Sequence, residues 1–131
     1  MSKYIYTSDT VPRNGKTVYI AGPITGVDGY REEFDRYADD IRDLGYTVIN
    51  PAKLPKGMTN AQYMKICFAM VDAADAVMFM SGWRTSMGAT LEHDYCVYTG
   101  KPHLHTPTMI DGDPDSISIS WLRDGLQEVT A

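Results

Sequence analysis

At 131 residues, with 44% hydrophobic and 22% charged side chains, the chain has the size and composition of one globular domain. A formal net charge of −5 and the lack of a basic run exclude a protein that wraps long nucleic acid, although a small nucleotide held by backbone amides and one or two cations stays open. Cys67 and Cys96 show neither metal-type spacing nor a disulfide framework, and no stretch reaches membrane-spanning length, so the chain is expected to be soluble, cytoplasmic and free of membrane contact.

In chain order, residues 3–9 read as a short strand or an ordered arm, and 12–15 as a turn. Residues 17–21, Thr-Val-Tyr-Ile-Ala, are the first strand, closed by Gly22-Pro23-Ile24-Thr25-Gly26. An amphipathic helix follows over about residues 30–44: Phe34, Tyr37, Ala38, Ile41 and Leu44 share one face, the acidic and basic residues lie mostly elsewhere, and Gly45 ends it. Residues 46–50 form the second strand, stopped by Pro51. After a loop over 51–58, Thr59 caps a helix over about residues 60–73. The apolar run 76–80 is short enough for a buried strand, and it breaks at Ser81-Gly82 into a polar loop. Ser86-Met87-Gly88 then opens a helix that ends at Gly100. Residues 101–105 form a fourth short strand; 106–120 are rich in Asp, Ser, Pro and Gly; 121–129 form a last amphipathic piece suited to packing on the body or on another subunit.

Strand and helix alternate at a spacing that calls for right-handed crossovers. The expected fold is therefore α/β: three layers, flavodoxin- or Rossmann-like, with a mostly parallel sheet of four to five strands and helices on both faces. The whole of 1–131 is read as one domain, with its core at about 17–105 and its 106–131 segment at a subunit interface. The loops after the first and third strands would flank the point where the strand order reverses, and ligands bind there in such sheets.

Several motifs can be set aside. Gly22-Pro23-Ile24-Thr25-Gly26 lacks the Gly-x-Gly-x-x-Gly spacing of a dinucleotide site, and no Gly-Lys-Ser/Thr follows to make a P-loop. A tight turn explains it as well as ligand contact does. Ser86 lacks the Gly-x-Ser-x-Gly frame of a hydrolase elbow and reads as a helix cap that is compatible with gripping an anion. His93, His103 and His105 show no recognised ligand spacing and are read as ordinary surface or core histidines. No metal or redox cofactor is expected. Trp83 and Tyr19 could stack a planar ligand, though aromatics at strand ends more often belong to core or rim. Glu92 sits about two turns into its helix, on one stripe with Gly88 and Tyr95, where the small Gly88 and Ala89 leave room for close approach. Asp75 reads as a helix-to-strand junction.

Taken together, Tyr19-Ile20-Ala21-Gly22-Pro23-Ile24-Thr25-Gly26, Asn50-Pro51, Ala74-Asp75-Ala76-Val77 and Ser86-x-Gly88-x-x-x-Glu92 resemble the nucleoside 2-deoxyribosyltransferase superfamily. The likeness covers about residues 18–102 and is greatest to a small branch common in phage and bacterial genomes. Nucleotide N-glycoside hydrolases belong to the same superfamily. The resemblance implies that Glu92 is the nucleophile attacking C1′ of a 2-deoxyribosyl group, with net retention, and that Tyr19 orients it. It further implies that Ser86 and Gly88 contact the sugar or its 5′-phosphate; from their places in the loops after the first and third strands, Gly22, Pro23, Ile24, Thr25, Trp83 and Arg84 are expected to line the substrate site.

Two positions depart from the family pattern. Cys67 stands where family members carry the general-acid Asp, so that role passes to Asp72 as the nearest alternative. Thr25 stands where nucleotide-hydrolysing members have Arg, a cation that Arg84 could supply. Many members complete the site with a polar residue of a neighbouring subunit, for which Ser116, Ser118 and Ser120 are candidates, so a homodimer or higher homo-oligomer is implied. The expected activity is N-glycosidic cleavage of a 2′-deoxynucleoside or its 5′-monophosphate, by transfer or hydrolysis. The alternative is a non-catalytic protein that binds a nucleotide or nucleotide-derived signal in the same pocket.

Overall fold

The computed structural model describes residues 16–105. Within them four strands and three helices alternate: β1 (Thr17–Ala21), α1 (Tyr30–Asp43), β2 (Thr47–Ile49), α2 (Asn60–Ala73), β3 (Ala76–Phe79), α3 (Met87–Thr99) and β4 (His103–His105). Single 3₁₀ turns at Pro51–Lys53 and Trp83–Thr85, both read as loop from the sequence, precede α2 and α3. The expected arm at 3–9 and the amphipathic piece at 121–129 lie outside the described residues.

All strand pairs are parallel, in the order β2-β1-β3-β4. Val18 pairs with Ala76, Ala21 with Phe79, and Phe79 in turn with His105. Because side chains alternate along a strand, β1 and β3 feed two separate cores. Val18, Ile20, Ala76 and Met78 pack with Phe34, Tyr37, Ala38 and Ile41 of α1. Tyr19, Ala21, Val77 and Phe79 pack with Cys67 and Val71 of α2 and with Ala89 and Cys96 of α3. One helix thus covers one face and two cover the other, as right-handed crossovers require when the first moves one way along the sheet and the later two move the other. The three-layer α/β architecture expected from the alternation is present, with a four-stranded, wholly parallel sheet.

Local chemistry sets the element ends. Thr59 caps α2 in a reciprocal box: its Oγ1 accepts from Gln62 N at 3.1 Å and the Gln62 side chain accepts from Thr59 N at 2.8 Å. Ser86 caps α3 by accepting from Ala89 N at 3.2 Å, and Gly100 closes that helix at φ 76°, a left-handed conformation that favours glycine. Asp75 holds the first rung of the central strand pair, its Oδ2 accepting from Thr17 N at 2.8 Å. No helix among the described residues is long and apolar enough to cross a membrane.

Candidate functional site

The order β2-β1-β3-β4 puts the reversal point between β1 and β3. The chain leaves β1 toward one edge and β3 toward the other, so a crevice opens above their carboxyl ends. The loops 22–29 and 80–86 rim that crevice. A cleft of about 450 Å³ lies on the α1 side of this rim, lined by Pro23, Asp28, Tyr30, Arg36 and Ser81 among others, and Glu92 is not part of it.

On the α2 and α3 side, Tyr19 and Glu92 meet. The Tyr19 hydroxyl donates to Glu92 Oε2 at 2.6 Å, and both residues are buried, Glu92 at 5% exposure. Their meeting follows from the fold: Tyr19 is the β1 position that faces α3, and Glu92 is one full turn beyond Gly88 on the helix face that Ala89 and Cys96 also bury. Burial pushes the Glu92 carboxyl up to about 7, and the Tyr19 hydrogen bond pulls against that rise. Burial, followed by the charge of Glu92, holds the Tyr19 hydroxyl well above its ordinary value, so the phenol stays a neutral donor.

Cys67 of α2 packs in the same buried cluster as Tyr19, and each influences the titration of the other. Burial raises the thiol's pKa and keeps it protonated. Thus the residue at the position of the expected acid does face the nucleophile candidate, but as a thiol.

The structure sorts the remaining candidates differently from the sequence. Asp72 is exposed near the end of α2, where its Oδ1 accepts from the Tyr95 hydroxyl at 2.7 Å and its backbone carbonyl faces Lys101 Nζ. It is not brought to Glu92. Ser86 uses its oxygen as the α3 cap. A Cβ added at Gly88 would lie 3.4 Å from Met64 Sδ, an ordinary contact, so α2–α3 packing does not by itself require glycine there. A Cβ at Gly22 would lie 2.7 Å from Met80 Sδ, which makes Gly22 a packing requirement of the first and third strand ends. Ile24 packs on the α1 core, Pro23 is half-buried beside it, and Thr25 is exposed in the turn. Asn50 caps the 3₁₀ turn by accepting from Ala52 N at 3.0 Å and donates to Asp35 Oδ1 at 3.1 Å.

Trp83, read as a surface for stacking a planar ligand, is 8% exposed and already stacked inside the protein. Its ring lies 4.3 Å from that of His93 at 23°, and 5.3 Å from that of His105 at 15°. Arg84 lays its guanidinium over the same indole at 5.4 Å. The three histidines, set aside on sequence spacing, converge here: one ring nitrogen of each lies within 4.8 Å of the others. The signal was faint because it is tertiary. His103-Leu-His105 puts two rings on one strand face, but only the packing of α3 beside β4 brings His93 to them. Burial, followed by the nearby His103 and partly offset by Asp94, lowers the His93 pKa, so this imidazole is neutral at neutral pH.

Compared with known proteins, residues 16–104 match a family model described as a domain of unknown function, DUF4406. No curated protein matches the chain. The family match takes in the sheet and helices up to residue 104 and well over half of the 131 residues, and the chain therefore belongs to the DUF4406 family.

Proposed function

We propose that the chain cleaves the N-glycosidic bond of a 2′-deoxynucleoside or its 5′-monophosphate, with Glu92 as the attacking carboxylate. One observation carries this reading: the Tyr19 hydroxyl donates at 2.6 Å to a Glu92 carboxylate buried on the α2 and α3 face of a parallel sheet. A carboxylate held by a neutral donor keeps one oxygen fixed and leaves the other for attack. In the proposed reaction Glu92 bonds to C1′ as the C1′–N bond breaks, the bonding pair leaves with the base, and the base takes up a proton. Water or a second base then displaces the Glu92 ester, with net retention at C1′. Asp72 is not the acid in this scheme, being tied to Tyr95. Cys67 and Tyr19 are the protonated groups next to Glu92. The apolar stripe Met87, Leu91 and Tyr98 on the outer face of α3 is exposed, which supports a homo-oligomer.

A second reading is favoured by the thiol at the position of the acid: the same crevice holds a nucleotide without turning it over. Incubating the protein with a panel of deoxynucleosides and their 5′-monophosphates, with and without an acceptor base, separates the two. Chromatography that reads free base, lost in Glu92→Gln, supports cleavage; acceptor dependence assigns transfer rather than hydrolysis. No base from any member, with a melting-temperature rise from one nucleotide, overturns cleavage in favour of binding.

A further inference from the structure

The chain contains three histidines, and the fold brings all three to one place. His103 and His105 flank Leu104 on β4; Leu104 turns into the α1 core, so both imidazoles take the opposite face, under α3. His93 comes down from α3 to meet them. We propose that His93, His103 and His105 form a site for a divalent first-row transition metal of the zinc type, three imidazole ligands with one coordination position left open. This inference does not rest on the glycosidic reading and involves neither Tyr19 nor Glu92.

The geometry is close to what such an ion demands. Imidazole nitrogens bound tetrahedrally at about 2.0–2.1 Å are about 3.3 Å apart. Here the ring nitrogens all lie within 4.8 Å of one another, so the widest gap closes by about 1.5 Å or less through side-chain rotation of the half-buried His93 and His103. Two of the three ligands sit on a strand of the sheet, which fixes their spacing before any ion arrives. His103 Nδ1 lies 3.0 Å from the Lys101 carbonyl oxygen, which can only accept. That contact puts the proton on Nδ1 and leaves Nε2 with its lone pair for a metal, the orienting bond that metal-binding histidines characteristically make.

The surroundings suit the same chemistry. Trp83 stacks on both His93 and His105, and Phe79 meets those two rings edge-on or tilted at 5.2 and 5.7 Å. An aromatic wall of this kind excludes water from one side. Asp94 Oδ1 is 4.0 Å from His93 Nδ1 and offers a compensating negative charge, against the exposed Arg84 that lies over Trp83. An all-nitrogen donor set selects zinc, copper, nickel or iron over magnesium and calcium, which require oxygen. Three protein ligands with a vacant fourth position leave room for water or a small anionic ligand.

The test uses the full chain, with any affinity tag removed and stripped with a chelator, labelled with ¹⁵N at histidine. Because the chain has three histidines, every imidazole signal reports on this site. Titration with Zn²⁺ is expected to shift all three rings together, to saturate at one ion per chain by calorimetry, and to show no response to Mg²⁺. His103→Gln, unchanged in circular dichroism, is expected to weaken Zn²⁺ binding about tenfold or more. Absence of zinc-dependent shifts, saturation well below one ion per chain, or equal affinity in His103→Gln overturns the proposal. If that variant does not fold, the visible spectrum of the Co²⁺-loaded wild type decides: intense tetrahedral bands support the site, and the pale spectrum of hydrated cobalt overturns it.

Discussion

Replacing Glu92 by Gln is expected to change how stability depends on pH, and the size of the change follows from the burial of the carboxyl. An ordinary glutamate titrates near 4.5, whereas burial brings Glu92 up to about 7. Between those values the unfolded chain has lost the proton and the folded chain still holds it, so folding weakens as pH rises through this window. At about 1.4 kcal/mol per pH unit, the full window is worth about 3 kcal/mol of lost stability at pH 8 relative to pH 4. Glutamine cannot ionise, and its carbonyl can still accept from the Tyr19 hydroxyl. Its second amide proton is a new buried donor that costs about 1–3 kcal/mol, but that cost is the same at every pH. The informative quantity is therefore the difference between wild type and Glu92→Gln as a function of pH, in which the other titrating groups cancel. Urea denaturation at half-unit steps from pH 4.5 to 8.5 should show the variant gaining on the wild type by about 3 kcal/mol, mostly between pH 5 and 7.5. Parallel stability curves for the two proteins would refute the claim that a buried, ionisable Glu92 is held against its preference.

Other substitutions test the neighbours of that residue and the frame around it. Tyr19→Phe removes the hydrogen bond that pulls the Glu92 pKa down, so the carboxyl should titrate above about 7; any Glu92-dependent base release should then lose its acid limb at higher pH, with folding weakened by about 1–3 kcal/mol in urea melts. Gly22→Ala drives a Cβ to 2.7 Å from Met80 Sδ and 3.0 Å from Met80 Cβ, and should cost about 1–3 kcal/mol by thermal melting, a cost that Met80→Ala in the same chain partly removes. Thr59→Ala breaks the reciprocal cap of α2 and should cost about 1 kcal/mol, read as a lower denaturation midpoint at unchanged slope.

The fold was legible because its signals are local. The apolar runs 17–21 and 76–80, the stripe Phe34-Tyr37-Ala38-Ile41 and the caps Thr59 and Ser86 each declare an element within a few residues, and alternation then leaves little freedom of topology. The pairing of Tyr19 with Glu92 came from the likeness to a known superfamily, since the two are 73 residues apart and no spacing rule joins them. The histidine cluster is equally non-local: no spacing rule joins His93 to the pair on β4, and no likeness points to it. Asp72 is near Cys67 in the chain, but it lies five positions on along α2, where the helix has turned it outward to Tyr95.

Once each residue of the sequence pattern has been placed, most of the pattern has a structural explanation. Gly22 makes room for Met80; Ser86 caps α3 and Asn50 a turn, Asp75 ties two strands, and Trp83 fills a stack of rings. None of these needs a ligand. Glu92 differs in kind. A leucine or methionine in its place would bury the same helix face among Tyr19, Ala89 and Cys96 without a polar group to satisfy. The carboxylate instead works against folding at neutral pH and above, and it draws a tyrosine hydroxyl and a thiol into the core with it. A cost of that sign, concentrated on one side chain, is what a reactive group imposes, and stability is commonly lost at such sites to keep it. The proposed chemistry is therefore assigned to Glu92 on grounds that the packing of its neighbours does not share.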